Sequence, residues 1–131
     1  MILVDSSVWI DYFNGKVTDK TNWLDSALGD KEIIVGDIVL TEVLQGFQND
    51  NDFRTAQNLL LEFPCMEMVG QELAIKSAMN YRYLRKQGVT VRKTIDVMIG
   101  TFCIHYRFSL LHDDRDFDPM EKHLKLKTIK I

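Results

Sequence analysis

Short apolar runs alternate with longer segments of mixed polarity along the whole chain. Four runs predict buried strands, because they are short and apolar and are bounded by polar or turn residues. These predicted strands are Ile2–Val4, residues 32–36, residues 65–69 and Ser109–Leu111. A further segment, residues 126–131, alternates apolar residues with lysine, which is typical of an edge strand.

The segments between these strands predict seven helices. The predicted helices are residues 8–13, 18–28, 38–48, 53–63, 71–87 and Thr94–Tyr106, with a short last helix that Asp118 is expected to cap and that begins at Pro119. The helix Thr94–Tyr106 is apolar nearly all round, which indicates a buried helix. Ser6 or Ser7 is expected to cap the first helix, and Asp37 the third.

The alternation of strands and helices predicts an α/β fold. We expect an α/β/α sandwich, in which a central parallel sheet is covered by helices on both faces. The length of 131 residues and the absence of a linker or repeat predict a single domain over residues 1–131.

Four acidic residues fall at equivalent places in this predicted fold. Asp5 ends the first strand, and Glu42 lies early in the helix after the second strand. Asp96 lies in the first turn of the buried helix, and Asp114 follows the last strand. In a parallel sheet every strand ends, and every crossover helix begins, at one edge. The topology therefore predicts that all four carboxylates lie along the carboxyl edge of the sheet.

Each acid also has an ordinary structural interpretation. Asp5 could cap a helix, and Asp96 could stabilise a helix N-terminus through the helix dipole. Glu42 could be a solvated surface residue, and Asp114 could be a turn residue. A cluster of carboxylates is nevertheless costly to bury unpaired, and a divalent cation relieves that cost. Oxygen ligands without nearby His or Cys favour Mg²⁺ or Mn²⁺ over zinc. His112, beside the acidic loop, is expected to have a structural role.

Composition and charge limit the possible partners. The chain is 46% hydrophobic and 27% charged, as in ordinary globular proteins, and no apolar run is long enough to span a membrane. No signal-peptide pattern opens the chain, so a cytoplasmic protein is expected. Cys65 and Cys103 lie in apolar surroundings and are expected to be buried, reduced thiols.

The net charge of −3 disfavours a nucleic-acid partner, but setting aside the four clustered acids leaves +1. Basic residues form two groups in the sequence: Arg82, Arg85, Lys86, Arg92 and Lys93, and then Lys122, Lys125, Lys127 and Lys130. Two interpretations stay open for these groups, namely solvated helix faces or a surface that contacts RNA.

Four motifs together resemble one known family. The motifs are VDSSVWIDY from residue 4, TEVLQG from residue 41, TIDVMIG from residue 94 and LLHDDRDF from residue 110. Their order and spacing are similar to those of PIN-domain nucleases, and within that family to the VapC-type toxins of bacterial toxin–antitoxin pairs. The resemblance covers the whole chain and implies a PIN-like sandwich.

The resemblance also implies a set of functional residues. Asp5, Glu42, Asp96 and Asp114 would take the acidic catalytic positions of the family. Asp116 would be a supporting acid, and Ser6 the polar residue beside the first aspartate. Asp5, Asp96 and Asp114 are expected to bind the metal ion, while Glu42 would hold or deprotonate the attacking water or bind a second ion. The choice among Asp113, Asp114 and Asp116 as the metal ligand of the loop stays open.

By the same resemblance the chain would be a ribonuclease that depends on Mg²⁺ or Mn²⁺, with RNA as substrate and a cognate antitoxin as inhibitor. A homodimer is also expected, because the middle of the chain carries more apolar residues than a small core needs. These residues are Leu44, Phe47, Phe53, Leu59, Leu60 and Phe63. The alternative is that all six belong to the core.

Two other functions are possible for an α/β fold with an acidic edge. A haloacid-dehalogenase-type phosphatase would need a second Asp two residues after Asp5, and Ser7 stands there. A non-catalytic RNA- or protein-binding module on the same fold would be favoured by the loss of an edge acid, and none of the four is missing.

Overall fold

The sheet has four parallel strands in the order β3-β2-β1-β4. In the computed structural model, which describes residues 1–131, the strands are β1 (Ile2–Val4), β2 (Ile33–Gly36), β3 (Cys65–Met66) and β4 (Ser109–Leu111). The central strand β1 pairs with β2 and β4, so Val4 lies beside Leu111. The Asp5 backbone N–H then donates to the Leu111 carbonyl at 2.8 Å, which sets Asp5 beside the loop that follows β4.

Seven α-helices flank the sheet, as the sequence pattern predicts. They are α1 (Ser6–Phe13), α2 (Asp19–Ala27), α3 (Asp37–Leu44), α4 (Asp50–Leu60), α5 (Gly70–Lys86), α6 (Thr94–Tyr106) and α7 (Asp118–Leu124), and a 3-10 helix spans Arg115–Phe117. Helix α1 contacts α2 and α3, and α3 contacts α4, whereas α5, α6 and α7 contact one another. The predicted α/β/α sandwich with a central parallel sheet is confirmed.

The core lies between the sheet and these helices. Its largest fully buried side chains include Trp9 from α1, Phe102 from α6 and Phe117 from the 3-10 helix. Helix α6 is buried over most of its length, as its uniform apolar character predicts. Because β1 and α6 are both held in this core, the acids at their ends are fixed in position.

Three predicted helix caps are wrong. Asp5, rather than Ser6 or Ser7, is the N-cap of α1, and its side chain accepts from the Ser7 backbone N–H. Asp37 is the first residue of α3, and its Oδ1 accepts from the backbone N–H groups of Ile38 and Met68. Asp118 likewise lies inside α7. In each case the helix begins one residue or more before the point that the apolar pattern marks.

The edges of the sheet are less regular than predicted. Strand β3 contains two residues instead of five, and Met68 leaves the strand to pack in the core against Gly36. The C-terminal segment follows β4 in parallel, but only as a single bridge between Leu110 and Thr128. The sequence pattern therefore overestimates the length of strand pairing at both edges of the sheet.

The two cysteines differ in exposure. Both are free, Cys103 is buried, and Cys65 is exposed, so the prediction of a buried thiol is wrong for Cys65. Cys65 is exposed because it begins the short edge strand β3. None of the helices is both long enough and apolar enough to cross a membrane.

Candidate active site

The Asp5 carboxylate lies at the junction between β1 and α1, and only 3% of the residue is exposed. Its Oδ2 accepts two hydrogen bonds from Ser7, from the backbone N–H at 3.0 Å and from the hydroxyl at 2.7 Å. Burial raises the pKa of Asp5, and the hydrogen bonds from Ser7 oppose that shift. The Asp5 side chain therefore caps α1 and is a buried acid at the carboxyl edge of the sheet.

Ser7 is a functional candidate that the sequence reasoning missed. Its hydroxyl donates to Asp5 and accepts from the Asp113 backbone N–H at 3.0 Å, so it joins the ends of β1 and β4. Ser6, the residue implied by family resemblance, lies instead beside Glu42, where it lowers that residue's pKa. No spacing rule separates two adjacent serines at a helix start, because only the direction of the first turn decides which one faces the acid.

Glu42 lies on α3 and is half-buried. Its Oε1 is a buried atom without a hydrogen-bond partner. Burial and, after it, the negative charge of Asp5 raise the pKa of Glu42. The two acids are therefore close enough to interact electrostatically.

Asp96 lies in the first turn of α6, with 5% of the residue exposed. Its Oδ2 is also buried without a hydrogen-bond partner. Burial raises the pKa of Asp96 to about 6, and the charges of Asp114 and Asp5 act in the same direction. An ionised carboxylate in this position receives no hydrogen bond at Oδ2, which makes its burial costly.

The loop after β4 brings two more carboxylates to Asp96. Asp114 caps the 3-10 helix, and its Oδ1 accepts from the Asp116 backbone N–H at 2.9 Å. One carboxylate oxygen each from Asp96, Asp114 and Asp116 lies within 4.8 Å of the others. Asp113 is exposed and contributes its backbone N–H to Ser7 instead. We call Asp96, Asp114 and Asp116 the acidic triad.

The predicted site residues thus form two neighbouring groups. The acidic triad is the tightest group, and it includes Asp116, which the resemblance placed only in support. Asp5 and Glu42 lie next to it at the same edge, where Asp5 and Asp114 both raise the pKa of Glu42. All of the acids singled out from the sequence therefore lie at the carboxyl edge of the sheet.

Two cations from the loop before α6 contact the acidic triad. Arg92 donates to Asp116 Oδ1 from Nη2 at 2.6 Å and from Nε at 3.2 Å. The Lys93 ammonium lies 3.7 Å from Asp96 Oδ2 and 3.6 Å from Asp114 Oδ2. These acids raise the pKa of Lys93, Asp96 most strongly. The sequence grouped both cations with a basic surface and did not predict their contact with the acids.

His112 supports the acidic loop, in keeping with its expected structural role. The residue is buried, and its ring packs 5.0 Å from the Phe117 ring, measured between centroids. Its Nδ1 accepts from the Asp114 backbone N–H at 3.2 Å, and burial lowers its pKa. A neutral imidazole therefore helps to fix the backbone of Asp114.

The donor set suits a hard divalent cation. Every side chain that could bind an ion here offers carboxylate oxygen, the type of ligand that Mg²⁺ and Mn²⁺ prefer. Two of the oxygens, Glu42 Oε1 and Asp96 Oδ2, are buried and lack hydrogen-bond partners. A bound divalent cation would coordinate oxygens to which the protein itself donates no hydrogen bond.

Comparisons with known proteins agree with this geometry. A sequence model of the PIN domain matches residues 2–122. Ribonuclease VapC11 of Mycobacterium tuberculosis is 28% identical, over 98% of this chain and 97% of its own length.

Solved structures show the same fold at lower sequence identity. A toxin–antitoxin complex from Klebsiella pneumoniae superposes with a TM-score of 0.75 at 17% identity, covering 99% of this chain and 97% of the other. VapC20 of M. tuberculosis, a toxin that cleaves the sarcin–ricin loop, superposes with a TM-score of 0.68 at 14% identity, covering 90% and 93% of the two chains.

Proposed function

The chain belongs to the PIN domain family, and from this membership we propose that it is a metal-dependent ribonuclease, the toxin of a toxin–antitoxin pair. The observation that carries the proposal is the group of edge acids, in which two buried carboxylate oxygens accept no hydrogen bond. The similarity to a ribonuclease of the VapC type over almost the full length of both chains supports it. We propose that residues 1–131 form one nuclease domain.

The metal ion is proposed to be Mg²⁺ or Mn²⁺, held by Asp5, Asp96 and Asp114. When bound, such an ion supplies positive charge for the attacked phosphate and lowers the pKa of coordinated water. The end of β1 and the start of α6 hold two of these carboxylates, Asp5 and Asp96, on regular elements of the fold. Asp114 depends on the loop after β4, which is kept in place by hydrogen bonds from the Asp113 backbone N–H to Ser7 and from the Asp114 backbone N–H to His112.

Glu42 is proposed to orient or deprotonate the attacking water. Burial and the charge of Asp5 raise its pKa, which brings this carboxylate closer to the proton affinity that a general base needs near neutral pH. Helix α3 follows β2 and the acidic loop follows β4, and these two strands lie on either side of β1 in the sheet. The neighbouring Ser6 is proposed to support Glu42.

Asp116 is proposed to have a supporting role. Both hydrogen bonds from Arg92 go to its Oδ1, so this ion pair occupies one oxygen of the carboxylate. An aspartate that is neutralised in this way is a weaker competitor for a divalent cation than Asp96, whose Oδ2 has no hydrogen bond.

The proposed partners are an RNA substrate and a cognate antitoxin. The named ribonuclease relative and the toxin that cleaves the sarcin–ricin loop support RNA as the substrate class. The toxin–antitoxin complex of the same fold supports an antitoxin.

A homodimer is also proposed. Of the six apolar residues that predict it, Leu60 is buried, and the other five are partly exposed. Helix α5 adds Ile75, Met79 and Tyr83, which recur every four residues and are 56%, 61% and 45% exposed. Leu44, Phe47, Leu59 and Phe63 also pack against the core, so the α5 residues are the more exposed apolar side chains that a second copy would cover. Light scattering at micromolar concentration should give twice the chain mass of 15.2 kDa, and a particle of one chain mass would contradict the dimer.

The ribonuclease proposal is tested by incubating the purified chain with a pool of total tRNA and rRNA, with and without Mn²⁺. We expect discrete cut ends in the presence of Mn²⁺ and none after chelation. The triple change Asp5→Asn, Asp96→Asn and Asp114→Asn, purified in parallel, controls for contaminating nuclease. Equal cleavage by this variant would overturn the proposal.

A further inference from the structure

Lys93 lies where a cation would bind the acidic triad. Its ammonium is 3.7 Å from Asp96 Oδ2 and 3.6 Å from Asp114 Oδ2. Both distances exceed those of well-formed N–H···O hydrogen bonds, so the charge is shared between the two acids and bonded closely to neither. Asp96 Oδ2 itself is buried and has no hydrogen-bond partner.

The lysine can leave this position without disturbing the fold. Its backbone is the N-cap of α6, but its side chain makes no capping hydrogen bond and is 58% exposed. The ammonium is carried on a flexible four-carbon stem. Arg92, by contrast, holds Asp116 through two hydrogen bonds to one oxygen. The two neighbouring cations therefore differ, since one is firmly paired and the other is held only by charge.

We propose that Lys93 is an internal counter-ion, which partly neutralises the acidic triad in the metal-free protein and competes with the divalent cation for it. This inference rests on the proposed metal dependence. A divalent cation that binds Asp96 and Asp114 must displace the ammonium, because both positive charges cannot share the same oxygens at low cost. The lysine thus stabilises the metal-free fold and weakens the apparent affinity for metal through the same contact.

The test compares Mn²⁺ binding by the full chain, without RNA, using titration calorimetry. Lys93→Met keeps a similar length of side chain and removes the charge. We expect its dissociation constant for Mn²⁺ to fall about five- to tenfold, the size of effect typical of one partly exposed charge. Lys93→Arg should bind Mn²⁺ no more tightly than the unaltered protein. Lys86→Met, which removes an exposed lysine at the end of α5, should leave the affinity unchanged.

A second readout uses thermal unfolding. In EDTA the melting temperature of Lys93→Met should fall relative to Lys86→Met, and saturating Mn²⁺ should raise it by more than it raises that of the unaltered protein. Mn²⁺ binding by Lys93→Met that is equal to or weaker than that of the unaltered protein would overturn the counter-ion role and leave the proposed ribonuclease standing. Absence of Mn²⁺ binding in both proteins would instead overturn the metal dependence, and the counter-ion role with it.

Discussion

The Ser7 hydroxyl donates a hydrogen bond of 2.7 Å to the buried Asp5 carboxylate, and the Ser7 backbone N–H donates to the same oxygen. The hydroxyl also accepts from the Asp113 backbone N–H. One small side chain therefore orients the acid at the end of β1 and fixes the start of the acidic loop after β4. Its loss would affect both groups of acids at once.

Ser7→Ala should therefore impair the enzyme more than Ser6→Ala does. We expect Ser7→Ala to lower RNA cleavage at least about tenfold and to cost about 1 kcal/mol of stability, the usual value of a lost buried hydrogen bond. In this variant the pKa of Asp5, which burial already raises, should rise further, because the hydroxyl hydrogen bond that lowers it is removed. Cleavage assays and chemical denaturation of both variants test this. A larger loss of activity in Ser6→Ala would restore Ser6 as the residue that supports the site.

The pH dependence of stability should reveal the cost of burying ionised carboxylates in the metal-free protein. The folded pKa of Asp96 is raised from 3.8 to about 6, so the folded state holds this proton more tightly than the unfolded state does. Stability in EDTA should then fall as the pH rises from about 4 to 6, with a loss of at most about 3 kcal/mol that persists above that window. Asp5 and Glu42 shift in the same direction. His112, whose folded pKa is lowered, opposes them by destabilising the fold as the pH falls below 6.5.

Asp96→Asn separates these contributions. In EDTA at pH 7.5 it should melt at a higher temperature than the unaltered protein, and the decline of stability between pH 4 and 6 should flatten. Glu62→Gln, at an exposed position, is the matched control and should change neither property. A lower melting temperature for Asp96→Asn at pH 7.5 would show that its contact with Lys93 outweighs the cost of burial.

The elements with sharp chemical boundaries are the ones that the sequence predicts best. The predicted bounds of β1, α6 and β4 are the observed ones, because in each case a largely apolar segment is followed directly by a polar or charged residue. Helix α4 was predicted over residues 53–63 and spans Asp50–Leu60. The Asn49 side chain accepts from the backbone N–H groups of Asn51 and Asp52, so the polar stretch expected to be a turn begins the helix.

The sequence predicts which acids lie at the carboxyl edge of the sheet, but it does not predict which residues contact them. Parallel topology alone brings the ends of β1 and β4 and the start of α6 together, and with them Asp5, Asp114 and Asp96. The contacts of Arg92 and Lys93 depend on the path of an irregular loop, which no periodic pattern describes. The choice between Ser6 and Ser7 depends on side-chain direction within one helical turn.

Packing near the acidic loop can be tested at Gly100. This glycine lies inside the buried helix α6, and a methyl group there would overlap the sulfur of Met120 on α7. Helix propensity alone would make Gly100→Ala stabilising by about 1 kcal/mol. Because Met120 is itself buried, we expect overpacking to prevail and the free energy of unfolding to fall by about 1 kcal/mol. Gly46→Ala has no such neighbour and should be tolerated. Denaturant titration compares the free energies of unfolding of the two variants. A stabilised Gly100→Ala would show that the Met120 side chain moves aside at little cost.

Asp5 has a structural and a proposed chemical role, and two substitutions separate them. Asn caps helices as well as Asp does, so Asp5→Asn should keep the bond from the Ser7 backbone N–H while removing the charge. Its metal-free melting temperature should be unchanged or higher, since one member of a repulsive group becomes neutral. RNA cleavage with Mn²⁺ should nevertheless fall at least about 100-fold, because a charged metal ligand is lost.

Asp5→Ala removes the cap as well as the charge. It should lose the same activity and also about 1 kcal/mol of stability, in contrast to Asp5→Asn. Melting temperatures in EDTA and cleavage rates in Mn²⁺ on the two variants therefore measure the two roles independently. If Asp5→Asn cleaved RNA at the unaltered rate, the Asp5 carboxylate would be a helix cap alone, and the metal ion would have to be held by the acidic triad without it.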